Sequence, residues 1–128
     1  MVYSSKLKVK VWNRTRDTVL GASVDLADTS AKRRTGLLKH ERLDAGEGLW
    51  IVPCESVHTF FMKFPIDLVY VDRGKKVRKV RSRMPAWRLS ACLSAHSIVE
   101  LPAGTVEQSG TQVGDELVFD RFEESPKE

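Results

Sequence analysis

A chain of 128 residues with 41% hydrophobic content and a net charge of +4 has the size of one domain and can fill a single core without disulfide or metal staples. Its two cysteines, Cys54 and Cys92, are too few for a disulfide scaffold, and no stretch has the length and apolarity of a signal peptide or a membrane span. These features exclude a disulfide-rich secreted miniprotein and a helical integral membrane protein, indicate no redox chemistry, and lead us to expect a cytoplasmic protein with both thiols reduced.

In chain order, KLKVKVW (residues 6–12) alternates lysine with Leu7, Val9 and Val11, the period-two pattern of a half-buried strand. Residues 19–26 supply an antiparallel partner after a polar turn, weakened by Gly21 and Ala22. DTSAKRRTGLL then changes period: Asp28, Thr29 or Ser30 can cap a short helix on which Ala31, Arg34, Leu37 and Leu38 recur at helical spacing, with Gly36 as a soft spot. Apolar strands are predicted at 48–52, which Pro53 stops, and at 58–62 and 66–72, which Pro65 separates. Asp72-Arg73-Gly74 turns into RGKKVRKVRSR, seven basic residues in eleven positions. Residues 84–96 show no clean period and are read as loop. SIVELPAG is a strand, TVEQS a single helical turn and VGDELVF a last strand. The expected architecture is α+β and mostly β: a mainly antiparallel, curled sheet forming a sandwich or barrel, with two short helices and little room for parallel crossovers. Residues 1–122 form one compact domain, and 123–128 an acidic flexible tail.

Together, RRTGLL, GEGLWIV, HTFFMKFPIDLVYVD, VELPAG and QVGDELVF resemble, in order and spacing, the small bacterial and archaeal family known as domain of unknown function 192. The resemblance runs from about Leu26 to Phe119. It implies a compact β-rich domain without an established activity, and it carries the family's polar signature onto Arg34, Lys63, Asp67, Glu100 and Asp115. Many members of that family carry an export leader, which is not read in this sequence.

HTFFMKFPIDLVYVD places Lys63 and Asp67 inside the most apolar stretch of the chain, and Glu100 lies between Val99 and Leu101 in another. An isolated buried charge costs several kcal/mol, so each of these groups needs a partner, water or neutralisation. In a strand broken at Pro65, Lys63 shares a face with Phe61 and Asp67 with Val69 and Val71. A bend there would gather both at the mouth of the curled sheet. Two readings follow. Arg34 reaches Asp67 or Glu100 and Lys63 snorkels to solvent, a structural network. Alternatively Arg34, His58, Lys63, Asp67 and Glu100 line a polar pocket that binds a small anionic ligand or a protein partner without catalysis. An enzyme, a small hydrolase or lyase, would use Asp67 or Glu100 with Lys63 as acid and base.

Other chemistry is weaker. Cys54 and His58, and Cys92 and His96, repeat one spacing that a zinc ion could use, but residues four apart on an extended chain stand roughly 13 Å from each other. No metal or cofactor is therefore expected. Neither cysteine has a marked base or oxyanion hole, and nucleophile elbows, phosphate loops and dinucleotide glycines are missing. The basic strand is read as a protected sheet edge, with nucleic-acid binding through Lys75, Lys76, Arg78, Lys79, Arg81 and Arg83 as the alternative. The segment from Ile98 to Phe119 supports that alternative through its resemblance to a unit of DNA-binding barrels of the transition-state-regulator type. Trp87, beside Arg88, is a candidate contact for a partner.

Overall fold

The computed structural model describes residues 6–38 and 40–124. Nine strands and two short helices follow one another as β1 (Lys6–Asn13), β2 (Thr18–Ala27), α1 (Ser30–Thr35), β3 (Glu47–Ile51), β4 (Ser56–His58), β5 (Ile66–Val71), β6 (Val77–Met84), β7 (Leu89–Ala91), β8 (Ser97–Pro102), α2 (Thr105–Ser109) and β9 (Leu117–Glu124). Seven strands form one sheet in the order β6-β5-β8-β3-β2-β1-β9, and β4 pairs with β7 in a separate ribbon. The α+β, mostly β and mainly antiparallel expectation stands, with two corrections at finer detail. The sheet is mixed, because β2 and β3 run parallel; the connection through α1 exceeds the roughly dozen residues that a parallel crossover requires. The sheet also curls without closing into a barrel. Its two edge strands approach at one end, where Val77 N–H donates to Asp115 O at 2.8 Å and Leu117 N–H to Lys75 O at 2.9 Å.

All six residues of β5 are buried, as are the first five of β8, so these strands are covered on both faces. Within the curl, Val69, Val71, Val99 and Leu101 meet Val9, Val11, Val24 and Leu117. On the outer face Ile66, Leu68, Tyr70 and Ile98 pack with Leu37, Leu49 and Ile51, and Val57, Cys54 and Cys92 of the ribbon lie over them. Each such aliphatic side chain contributes about 1.5–3 kcal/mol by leaving water. Gly48 permits the tight approach of β3 to β8, since a Cβ there would stand 2.6 Å from the carbonyl oxygen of Glu100.

Three local expectations change. The run at 58–62 is strand only to His58, because Thr59 turns the chain toward residues 85–88. Part of the stretch read as loop at 84–96 is β7, held by β4. Glu123 and Glu124, assigned from sequence to the tail, extend β9 against β1, while 125–128 lie outside the described residues. Among the described residues no helix is long and apolar enough to cross a membrane.

Two buried carboxylates hold the ends of the chain's connections. Asp115 accepts from Asn13 Nδ2 at 3.0 Å, Arg16 Nε at 3.0 Å and Gln112 N–H at 2.9 Å, tying the β1–β2 turn to the loop before β9. Burial would raise its pKa, but these hydrogen bonds and the Arg16 charge outweigh burial and hold it below the usual value. Asp67, fully buried, accepts from the backbone N–H groups of Arg83 at 2.8 Å, Gly104 at 3.1 Å and Val106 at 2.8 Å. The cap residue of α2, Gly104, has no side chain to offer, so a carboxylate from β5 satisfies its first turn instead. Asp67→Ala leaves three N–H groups without an acceptor and is expected to destabilise the fold by about 3 kcal/mol in urea unfolding. A cost below about 0.5 kcal/mol would contradict this role.

Candidate functional site

The pairing of β5 with β8 decides where the charged residues go. Leu68 lies opposite Glu100 and Asp67 opposite Leu101. Cross-strand partners share a face and successive residues alternate, so Asp67 points into the curl and Glu100 outward, under α1. Asp67 does share the face of Val69 and Val71. Lys63 is in neither place: its side chain is half exposed and ion-paired with Glu41. The expected convergence of Lys63, Asp67 and Glu100 in one recess therefore does not occur. The register of a single residue sends the two carboxylates to opposite sides of the sheet.

Three of the five predicted pocket residues do meet. Arg34, His58 and Glu100 line a cleft of about 110 Å³ between α1, β3, β4 and β8, together with Arg33, Cys54 and Met62. Glu100 forms its floor and is 4% exposed, while Arg34 and His58 are exposed at the rim. Helix α1 starts at Thr29, whose hydroxyl accepts from Lys32 N–H, and ends at Gly36, whose φ of 48° is a conformation that side-chain-bearing residues avoid. A Cβ at Gly36 would sit 3.9 Å from Glu100 Oε1, so this glycine both stops the helix and leaves space over the carboxyl. The sequence flagged Gly36 only as a weak point of a longer helix. Arg33 was missed, although the Arg33-Arg34 pair is the basic last turn of α1.

No group among the described residues hydrogen-bonds or ion-pairs with the Glu100 side chain, Arg34 included. Burial alone raises its pKa from 4.5 to about 7. Cys54 is also pushed up, first by burial and further by Glu100, against lowering contributions from its bond to Ser56 O and from Arg33. That shift favours the thiol over the thiolate. His58 Nδ1 accepts from Phe60 N–H at 3.3 Å, which leaves Nε2 as the protonated nitrogen in the neutral ring. No three His, Cys, Asp or Glu side chains among the described residues stand close enough to hold a metal ion. A larger depression of about 690 Å³ on the other side of Cys54 includes Asp72, Arg73 and His96. Of its two carboxylates, Glu55 and Asp72, the second is already engaged, accepting from Lys76 N–H at 3.0 Å.

The basic strand lies at a sheet edge, and most of its charges contact their own chain. Arg78 Nε donates to Ser94 Oγ at 3.3 Å, Lys79 Nζ to Ala91 O at 2.9 Å, and Arg83 Nε to Glu107 at 3.2 Å. Lys75 lies over the rings of Trp50 and Phe119. Lys76 bridges to Glu116 through the backbone, and Arg81 is half-buried.

The model of the family DUF192, described as an uncharacterised ACR, matches residues 11–119. The chain belongs to this family. A UPF0127 protein of Thermococcus sibiricus is 30% identical over 118 residues, covering 88% of this chain and 75% of the relative. One from Pyrococcus furiosus is 31% identical over 116 residues, covering 86% and 97%. Among solved structures, a candidate transcription regulator of Sinorhizobium meliloti superposes with a TM-score of 0.76 at 20% identity, covering 93% of this chain and 96% of that one. A protein of unknown function from Novosphingobium aromaticivorans gives 0.72 at 19% identity, covering 91% and 84%. At these identities the two structures show a shared fold. Of the five positions to which the sequence resemblance carried a polar signature, Asp67 and Asp115 brace the fold, Lys63 pairs at the surface, and Arg34 and Glu100 line the cleft.

The unpaired carboxyl has a consequence for stability. Its folded pKa lies above its unfolded value, so the native state keeps a proton that the unfolded chain releases. Stability is therefore lost as pH rises from about 4.5 to about 7, by roughly 3 kcal/mol in full. Glu100→Gln is expected to raise stability by about 1–3 kcal/mol near pH 8 and to change it little near pH 4, measured by urea unfolding at both. Equal effects at the two pH values would mean that Glu100 is not buried as an acid.

Proposed function

We propose that this DUF192 chain is a non-enzymatic binding module that takes a small anion in the cleft over Glu100. The observation that carries the reading is a buried carboxyl, without a hydrogen-bond or ion-pair partner among the described residues, that opens into a cleft rimmed by two arginines and a histidine. Protonated, Glu100 is a hydrogen-bond donor to an anionic oxygen; Arg33 and Arg34 supply the positive charge, and His58 Nε2–H a second donor. The small volume fits a carboxylate or phosphate head, not a large ligand. Lys63 and Asp67 leave the ligand set because each is engaged elsewhere. The cytoplasmic setting expected from the sequence belongs to the same proposal.

One alternative has a specific observation behind it: a carboxyl titrating near neutrality is suited to general acid–base chemistry. That reading narrows to Glu100 alone, since neither Lys63 nor Asp67 reaches the cleft. Nucleic-acid binding draws on the edge position of β6 and on the description of the Sinorhizobium protein. The engagement of Arg78, Lys79 and Arg83 within the chain weighs against it.

Anion binding to the protonated form makes affinity fall about tenfold per pH unit above the carboxyl pKa. Acetate and phosphate titrations followed by NMR at the Gly36 amide and the Glu100 carboxyl carbon should show binding near pH 6 that weakens near pH 8. Glu100→Gln should bind equally at both, and Arg34→Ala should bind weakly at both. Absence of any shift at about 100 mM of either anion, well above weak millimolar affinities, would remove the proposal.

A further inference from the structure

Beside the cleft, and sharing His58 with it, lies an aromatic cluster that the cleft does not use. His58 stacks on Phe60 with centroids 5.0 Å apart, Phe60 on Trp87 at 5.8 Å, and Phe61 meets Trp87 edge-on at 4.7 Å. Phe61 is 69% exposed, Trp87 56%, and Leu89, the cross-strand partner of His58, 69%. Scattered exposed hydrophobics need no explanation, but a contiguous group built of Trp and Phe does.

The group is held, not frayed. Thr59, fully buried beneath it, donates through Oγ1 to Pro85 O at 2.7 Å and through N–H to Arg88 O at 2.9 Å. It accepts from Arg88 N–H at 2.9 Å and, on its carbonyl, from Trp87 N–H at 3.0 Å. Phe61 and Trp87 both have left-handed backbones, φ 66° and 65°, which bulky residues rarely adopt. Two strained positions that each push a large ring into water mark display, because strain of this kind persists where function uses it. The stacked and edge-on rings together offer a continuous apolar surface, suited to aliphatic side chains.

Charge chooses the partner. Residues 56–66 and 73–99, which build this side of the molecule, contain no aspartate or glutamate, while 73–99 alone contain eight lysines and arginines. Arg88 lies within the cluster, and Glu41, next to Lys63, is neutralised by it. We propose that the Phe60, Phe61, Trp87 and Leu89 surface docks a partner protein through an acidic segment carrying aliphatic residues. Its leucine-like side chains lie among the rings and its carboxylates face Arg88, the combination of aromatic anchors and arginine that dominates interface energetics. The inference stands independently of whether the cleft takes an anion.

A fluorescein-labelled synthetic peptide alternating leucine and glutamate, titrated by anisotropy against the full chain, is expected to bind and to lose affinity as salt rises. Trp87→Ala and Arg88→Glu should each weaken it about tenfold or more. Phe61→Gly should do the same while relieving the backbone, so its loss of binding cannot be ascribed to misfolding. Acetate binding at the Gly36 amide should be unchanged in Trp87→Ala, which separates this surface from the cleft. Four results would overturn the proposal: no peptide binding, binding that survives Trp87→Ala and Phe61→Gly, a concentration-dependent dimer that Trp87→Ala dissolves, or sedimentation with phosphatidylglycerol vesicles that Trp87→Ala abolishes. The last two would give the surface to a second copy of the chain or to a membrane.

Discussion

A carboxylate in a strand covered on both faces must be fully hydrogen-bonded or give up its charge. The two acids in the paired strands β5 and β8 take these opposite courses. Asp67 finds three backbone N–H groups and keeps α2 and the end of β6 in place. Glu100, on the opposite face of the sheet, finds no donor among the described residues, and burial raises its pKa to about 7. The first arrangement organises the fold; the second leaves chemical capacity unspent.

Much of the surrounding structure can be understood as the framework for that asymmetry. The curl of the sheet gives Asp67 an interior to point into, and the approach of β9 to β6 at one end is secured by Asp115 and its bonds to Asn13, Arg16 and Gln112. On the outer face, α1 is only six residues long and stops at Gly36, directly over Glu100. A longer helix carrying a lysine or arginine inward would neutralise the acid and fill the cleft. Natural sequences depart from local consistency mostly where function requires it, and a buried acid without a partner among the described residues is such a departure.

The sequence made some of this legible and hid the rest for identifiable reasons. Strong periodicity revealed β1, and Thr29 was among the caps proposed for α1. The placement of Asp67 with Val69 and Val71 was also readable, because alternation within one strand is local. Whether Glu100 shared that face was not, since it depends on the pairing register between β5 and β8, a property of two segments thirty residues apart. The parallel pairing of β2 and β3 is equally non-local. Thr59 was invisible as an organiser: a lone threonine between a histidine and two phenylalanines reads as strand, and only the approach of residues 85–88 turns it into a hub. Lys63 misled because an apolar neighbourhood in sequence is not burial in space; Phe61 beside it is itself exposed.

The raised pKa of Glu100 and the basic rim above it belong to one electrostatic argument. A positive face attracts anions over several ångströms, yet an ionised acid at the bottom of the cleft would repel them at contact. Burial removes that conflict near and below neutral pH without introducing another cation, whose own desolvation would have to be met in the same small volume. The rim charge of Arg34 stays solvated, where it costs little and still acts on an incoming anion, while the half-buried Arg33 donates to Asp28 O at 2.9 Å and adds its charge from there. An aspartate at position 100 would shorten the side chain and withdraw the carboxyl toward β8, away from Gly36. A glutamate is long enough to reach the cleft floor and apolar enough along its stem to pack among Ile51 and Met62 on the way.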